Sequence, residues 1–504
     1  MSLSDRIEAR IREREAMAPR RRLFRIENTA GIAALALRER AIPYWPIARV
    51  EALQRQRVQA MVRHAYATVP FYRSVMEERR IRPEDVRTAA DLSELPMISG
   101  SDLAQDPMRF VSEPFRKEGR EVFKTSGSTS GLRKPIFWDH ASMLIRAARG
   151  ERDRVVIAQL AGEAWTGVMT REYLTNERRH TLARLLGVHT SDHQRLLILP
   201  ADFSSRTQRV VWKERSSFPR RPIHYHHLPP AVPPAVAAAH IAAIRPRVVF
   251  SFGSWAEHFF RFLDASGTVI PMPRLWVYMS DRLSSEGREI AERRGSIVYS
   301  VYGAMEAYTI GFQCEQLSGF HLNIDLCAVR VVDGQGRDVP AGTSGDVVIS
   351  PLDNRAMALL NYSLGDRATL SPEPCSCGRS LPLLARLEGR RSEIVRLADG
   401  RELSSLTLEG LFGKELRRTI QAQIGQQQPG ALHWRIVPFP DADRDALRDA
   451  LLLRGRRVLG LDTTLTVEFV ESIPRTASGK FVRGLASMPA RSLEATRSNT
   501  VTGE

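Results

Sequence analysis

The feature that most limits how this chain can fold is an alternation of short apolar runs with helical stretches through its middle. Leu196–Pro200, Val248–Phe252 and Leu275–Tyr278 are apolar runs of strand length, and the segments between them carry helical periodicity. Strands covered on both faces read this way, and a helix between successive strands lets them pair in parallel. After about residue 325 the texture changes: Ala328–Val332, Gly345–Ile349 and Ala368–Leu370 are short alternating runs broken by Gly, Asp and Pro. Those runs predict antiparallel β structure. Ile394–Leu397, Leu432–Val437, Asp441–Leu453 and Leu465–Val470 supply strands and a helix for a small α+β unit at the end. The expected class is therefore α/β plus α+β, with a large N-terminal domain of α/β layers carrying a β-rich subdomain, and a small C-terminal domain. The expected division is 1–45 as an N-terminal helical extension on the surface, 46–391 as the large domain, 392–488 as the small one, and 489–504 as a disordered tail.

One loop has the chemistry of an anion cradle. Thr125, Ser126, Ser128, Thr129 and Ser130 crowd hydroxyls around Gly127 and Gly131, with Arg133 and Lys134 behind them. Glycines let backbone N–H groups converge on an anion, hydroxyls add donors, and a lysine supplies a point charge suited to phosphate. No lysine directly follows the second glycine, so this is not the loop of the common NTPases. The same composition also suits a flexible linker.

The net charge of +16 invites a nucleic-acid reading, but the arginines are scattered through every segment and often sit beside Glu or Asp. Nucleic acid is not an expected partner. The chain has six lysines (117, 124, 134, 213, 414 and 480) against sixty-seven arginines. Where a lysine survives such a bias, a compact flexible ammonium is called for in place of a guanidinium. Two of the six flank the hydroxyl-rich loop. No apolar run approaches the ~20 residues of a membrane span, so no membrane association is expected. Four cysteines in 504 residues argue against a disulfide framework and for a reducing cytoplasm.

Four segments, in order, carry a resemblance: the hydroxyl-rich loop, Val301-Tyr-Gly-Ala-Met-Glu306, Asn361-Tyr-Ser-Leu-Gly-Asp366 and Pro474-Arg-Thr-Ala-Ser-Gly-Lys480. Together they resemble the adenylate-forming superfamily of acyl- and aryl-CoA synthetases. Val69-Pro-Phe-Tyr72, Leu95–Leu103 and Cys375-Ser-Cys-Gly-Arg379 are similar to the phenylacetate–CoA ligase branch. The resemblance spans roughly residues 55 to 485 and is thin between 141 and 270.

The resemblance implies that a carboxylate attacks the α-phosphate of ATP, releasing pyrophosphate and leaving an acyl-AMP. A thiol, usually coenzyme A, then takes the acyl group; transfer to an amine or a carrier-protein thiol is the alternative, and a catalytically silent nucleotide-binding relative is a third. Joining two anions needs fixed cations and dipoles. The family pattern would place Thr125, Ser126, Gly127, Ser128, Thr129, Gly131 and Lys134 on the β- and γ-phosphates. Glu306 would bind Mg2+, Asp366 and Arg390 the ribose, Tyr302 and Gly303 the adenine. Lys480 would bridge the carboxylate and the α-phosphate, on a small domain that is mobile in this superfamily. Three departures stand out: Met305 where relatives often have threonine, Ser392-Glu393 at the expected hinge, and Ser280-Asp281 in place of Gly-Glu. A small acid and coenzyme A are the implied partners, and a homodimer is compatible with the pattern.

Cys314, His321, Cys375 and Cys377 offer three thiolates and an imidazole, a full tetrahedral shell for structural Zn2+. Free buried cysteines are the alternative, and Cys327 could stand in for one ligand. His224, His226 and His227 lack a neighbouring acid and fit a pocket wall or surface better than a metal. Trp255 fits either the wall of an aromatic pocket or the core.

Overall fold

The computed structural model describes residues 3–17, 22–117, 120–125, 134–162, 194–199, 224–417, 419–476 and 480–485. Its strands, numbered along the chain, begin with a hairpin, β1 (Arg120–Lys124) and β2 (Pro135–Asp139). The apolar runs become β3 (Gln194–Ile198), β5 (Val248–Phe252) and β6 (Leu275–Met279), joined by β4 (His224–Leu228) and β7 (Ile297–Ala304). These five pair in parallel in the order β4-β3-β5-β6-β7. Helices Pro234–Ile244, Gly253–Ser266 and Ser285–Arg293 lie between successive strands, as the alternation requires.

The sheet does not stop at β7. It continues antiparallel through β8 (Tyr308–Phe312), β9 (Phe320–Leu322), β13 (Leu383–Arg390), β12 (Tyr362–Leu370), β11 (Ser344–Pro351) and β10 (Cys327–Val332), giving eleven strands among the described residues. The expected β-rich part is thus one half of a single sheet, and its antiparallel pairing begins at Val301↔Phe312, earlier than the change in texture suggests. The cause is local. Ala304 pairs with Tyr308 across a tight turn with Tyr308 at φ +57°, and so short a connection admits only an antiparallel partner.

One expectation for the ends needs correction. Helices Leu3–Met17 and Arg22–Ala41 are not a surface appendage: Ile11, Ile32, Leu35 and Ala36 are buried in the same core cluster as Trp138 and Leu144. Their charges also find partners inside, because Arg152 reaches Glu39 at 2.5 Å, Asp325 at 2.8 Å and Asn323 at 3.0 Å. Toward the C-terminus, β14 (Ile394–Arg396) and β15 (Glu402–Ser404) precede a four-stranded sheet ordered β18-β17-β16-β19. Its strands are β16 (Thr419–Gln428), β17 (Ala431–Pro438), β18 (Thr464–Phe469) and β19 (Gly484–Leu485). Val395, Leu408, Phe412, Ile424, Trp434, Ile436 and Leu451 form a core cluster of their own there. The helix expected at Asp441–Leu453 runs Arg444–Leu459, started by the Asp443 side chain accepting from the N–H groups of Asp445 and Ala446. No helix among the described residues is long and apolar enough to cross a membrane.

Candidate active site

The hydroxyl-rich loop is the connection of the β1–β2 hairpin. Its base is closed: Thr125 N donates to the Lys134 carbonyl at 2.9 Å, and Lys134 N donates to Thr125 Oγ1 at 2.9 Å. Ser126, Gly127, Ser128, Thr129 and Gly131 lie outside the described residues. Lys134 leaves the hairpin toward β12, where its Nζ donates to the Tyr362 hydroxyl at 2.9 Å. That hydroxyl donates onward to Glu306 Oε1 at 3.1 Å, and Glu306 and the Lys134 ammonium are 3.8 Å apart. Burial lowers the Lys134 pKa, and Glu306 partly offsets the loss. Tyr362 is 1% exposed and burial raises its phenol, so it is a neutral relay between a cation and an anion.

A second group sits where β7 and β12 carry their motifs. The Tyr302 hydroxyl donates to Asp366 Oδ2 at 2.9 Å, and Arg390 Nε lies 3.6 Å from Asp366 Oδ1. Asp366 and Arg390 face each other in the β12–β13 register, which places the acid and the guanidinium side by side. Burial by itself would pull Arg390 down, but Asp366, Glu393 and Glu306 raise it overall. Tyr302 is buried, so its hydroxyl orients Asp366 while its ring is tilted against Phe320. At Gly303 a Cβ would stand 2.2 Å from the Tyr308 carbonyl oxygen, so no side chain fits. The Met305 carbonyl accepts from Trp138 Nε1 at 3.1 Å, which holds the turn before Glu306.

Lys480 arrives from the small unit. Its Nζ donates to the Ser280 carbonyl at 3.4 Å and lies 5.8 Å from the centre of the Phe252 ring, at the C-terminal ends of β6 and β5. Burial draws its pKa down to about 8, with Asp281, Asp366 and Glu306 holding it up and Arg390 opposing them. Lys480, Asp366, Arg390, Glu306 and Lys134 therefore act on one another electrostatically around one location. The Cβ-free approach of Gly484 to Glu393 and Ser405 docks the following residues against the expected hinge. Glu393, whose carboxyl is pushed up by burial, accepts there from Ser405 at 3.2 Å.

Three other candidates resolve plainly. Trp255 is 1% exposed and stacks on Phe259 and Trp276, so it belongs to the core. His226 sits 5.9 Å from the His240 ring on β4, and the His224 side chain lies outside the described residues. Cys327 is buried away from the other three cysteines and joins no metal-competent group among the described residues. Cys314, His321, Cys375 and Cys377, by contrast, bring four ligand atoms within 4.8 Å of one another, a possible metal site. Cys314 Sγ is 3.7 Å from Cys375 Sγ, and Cys377 Sγ is 3.3 Å from His321 Nε2. Two residues that the sequence reading did not single out as site residues are Tyr362, which stands inside a quoted motif, and Asp281, noted only as a departure.

The fold is that of the acyl-CoA ligases of the adenylate-forming superfamily. It superposes on the crystal structure of 2-hydroxyisobutyryl-CoA ligase in the postadenylation state with a TM-score of 0.66 and 17% identity, covering 90% of this chain and 93% of that one. The same ligase in its thioesterification state gives a TM-score of 0.52 and 18% identity, covering 91% and 94%. In sequence the chain is similar to phenylacetate–coenzyme A ligases. It is 25% identical to that of Thermus thermophilus over 366 residues, 69% of this chain and 72% of the relative, and 22% identical to that of Aromatoleum evansii over 464 residues, 87% and 95%. No protein-family model matches the chain.

Proposed function

We propose that the protein is an AMP-forming acid–thiol ligase acting on a small carboxylic acid, aromatic in keeping with its phenylacetate–CoA ligase relatives. A carboxylate oxygen attacks the α-phosphorus of ATP, the bond to pyrophosphate breaks, and an acyl-AMP is left. The thiol of coenzyme A then attacks the acyl carbon and AMP departs. The observation that carries this reading is the convergence of Lys134, Tyr302, Glu306, Asp366, Arg390 and Lys480, from separate segments, on one location.

In this reading Lys134 and the loop it closes hold the terminal phosphates, and Asp366, oriented by Tyr302 and Arg390, accepts from the ribose hydroxyls. Lys480 places its charge where the attacking carboxylate and the α-phosphate meet. Glu306 offers a hard, buried carboxylate oxygen, which suits Mg2+ alongside phosphate oxygens; the ion would neutralise phosphate charge when bound. The large domain would run to residue 391 and the small one from 392. Acid-dependent pyrophosphate release, measured over aromatic and aliphatic acids with and without coenzyme A, tests the reading. Release with some acid, and coenzyme A consumed with it, is expected; no release with any acid overturns it. Lys480→Ala should cut adenylation by at least about 100-fold while ATP still binds.

Zinc is our reading of the Cys314–His321–Cys375–Cys377 cluster. With Zn–S bonds of ~2.3 Å a tetrahedral shell sets its sulfurs ~3.8 Å apart, close to the Cys314–Cys375 separation of 3.7 Å. His321 Nδ1 lies 3.3 Å from the Leu381 carbonyl, which leaves Nε2 to face the thiols. Four protein ligands leave no open position, so the metal would pin the β8–β9 turn to the segment before β13. Metal analysis of the purified chain should find about one zinc per molecule, and less than about half an equivalent would argue against it. A cluster of reduced thiols also favours a reducing compartment.

A further inference from the structure

The Pro474–Lys480 segment reaches the large unit through two basic side chains, one ending at a tight turn and the other at the start of the helix packed against that turn. Lys480 Nζ donates to the Ser280 carbonyl at 3.4 Å, and Arg475 Nη1 donates to Ser254 Oγ at 3.3 Å. Ser254 donates its hydroxyl to Asp281 Oδ2 at 2.6 Å, and its backbone N–H donates to Asp281 Oδ1 at 3.0 Å. The segment is also closed on itself: Thr476 N donates to the Lys480 carbonyl at 2.8 Å, and Lys480 N to Thr476 Oγ1 at 3.1 Å.

The receiving turn is built under constraint. Ser280 has φ +72°, a left-handed conformation that only glycine adopts without cost, and Asp281 N folds back onto the Met279 carbonyl at 2.9 Å. Helix Gly253–Ser266 begins so close to it that a Cβ on Gly253 would stand 2.5 Å from the Arg282 carbonyl carbon. The turn therefore cannot slide relative to the helix that carries Ser254.

We propose that Asp281 is the positioning residue for the lysine-bearing loop: it fixes Ser254, Ser254 fixes Arg475, and the adjoining Ser280 carbonyl receives Lys480. The inference rests on the adenylation reading and adds a residue to it. Electrostatics run the same way. Burial lowers Lys480, and Asp281 is the foremost group holding it up, ahead of Asp366 and Glu306 and against Arg390. Burial likewise lowers Arg475, which Asp281 offsets and Arg483 aggravates. One carboxylate thus serves both cations of the loop.

A carboxylate that merely capped the helix would affect stability and leave Lys480 alone, so the test reads Lys480 directly. The full chain, without substrate, is treated with limiting acetic anhydride over a pH series, and acetylation at Lys480 is quantified by peptide mass spectrometry. In the parent the labelling midpoint should fall at about 8. Asp281→Asn keeps an acceptor for Ser254 but removes the charge, so Lys480 loses its proton more readily and the midpoint should move down by about half a unit or more. Ser254→Ala keeps the charge but cuts the link to Arg475, and should raise the Lys480 labelling rate at high pH about threefold or more as the loop opens. An unchanged midpoint in Asp281→Asn overturns the proposal. If that variant fails to fold, an unchanged rate in Ser254→Ala overturns it. Pyrophosphate release with phenylacetate separates the two levels: if the parent releases none with this or any other acid while the labelling shifts appear, the function reading fails and the positioning role stands.

Discussion

At the scale of single residues, the site is organised by pairs in which one side chain fixes another's charge. Tyr362 is the clearest case, because its hydroxyl accepts a hydrogen bond from the Lys134 ammonium and donates one to Glu306. Without it the two charges, already 3.8 Å apart, could close on each other and be lost to the phosphate and metal roles proposed for them. Tyr362→Phe should therefore lower the rate of pyrophosphate release about tenfold and raise the Mg2+ concentration needed for half-maximal rate, with at most about 1.5 kcal/mol lost in stability. An Mg2+ titration of pyrophosphate release checks this, and a curve matching the parent's would show that the hydroxyl is only a packing detail. Asp366 is set by the same logic, between Tyr302 and Arg390.

At the scale of elements, what was legible in the sequence followed hydrophobic period, and what was missed followed polar side chains that act as backbone. The runs at Val248–Phe252 and Leu275–Tyr278 could be assigned because they are apolar on both faces. β16 was not assigned, since Thr419–Gln428 is rich in glutamine. Two of its glutamines are buried: Gln426 accepts from Arg396 N at 2.9 Å and donates to the Arg396 carbonyl at 2.7 Å, imitating a further strand, and Gln423 donates to the Val482 carbonyl at 2.7 Å. The four motifs point to Lys134, Glu306, Asp366 and Lys480, whereas Asp281 stands out in the sequence only as a departure, because its contact with Ser254 is one that no local spacing reveals. The N-terminal helices were misplaced for a related reason. Arginine-rich segments read as exposed, yet Arg152 spends its charge on Glu39 and Asp325 in the interior. Arg152→Met would strand Glu39 without its cation and leave Asp325 with Arg57 at 2.7 Å, at a cost of about 3–5 kcal/mol. Thermal denaturation should show a melting temperature several degrees below the parent's, about 2–4 °C per kcal/mol for larger domains; an unchanged value would mean the acids find water or another partner.

At the scale of the whole molecule, the small unit is joined to the large one by buried charge as well as by the Lys480 loop. Arg483 lies between Glu257 of the large unit and Glu409 of the small one, at 2.5 Å from each, and donates to the Arg282 carbonyl at 3.0 Å. Arg261 joins the same group through Glu257 at 2.8 Å and Glu286 at 2.9 Å. The single mixed sheet has a different kind of consequence, for anyone who would cut the gene. β7 takes a parallel neighbour on one side and an antiparallel one on the other, so it is interior to the sheet and belongs to both halves. A fragment ending after Ala304 would bare the edge of β7 that β8 covers, from Val301 to Ala304, an open template for strand addition between copies. Such a fragment should express as inclusion bodies, whereas one covering residues 394–485, with its own apolar cluster, should stay in the supernatant.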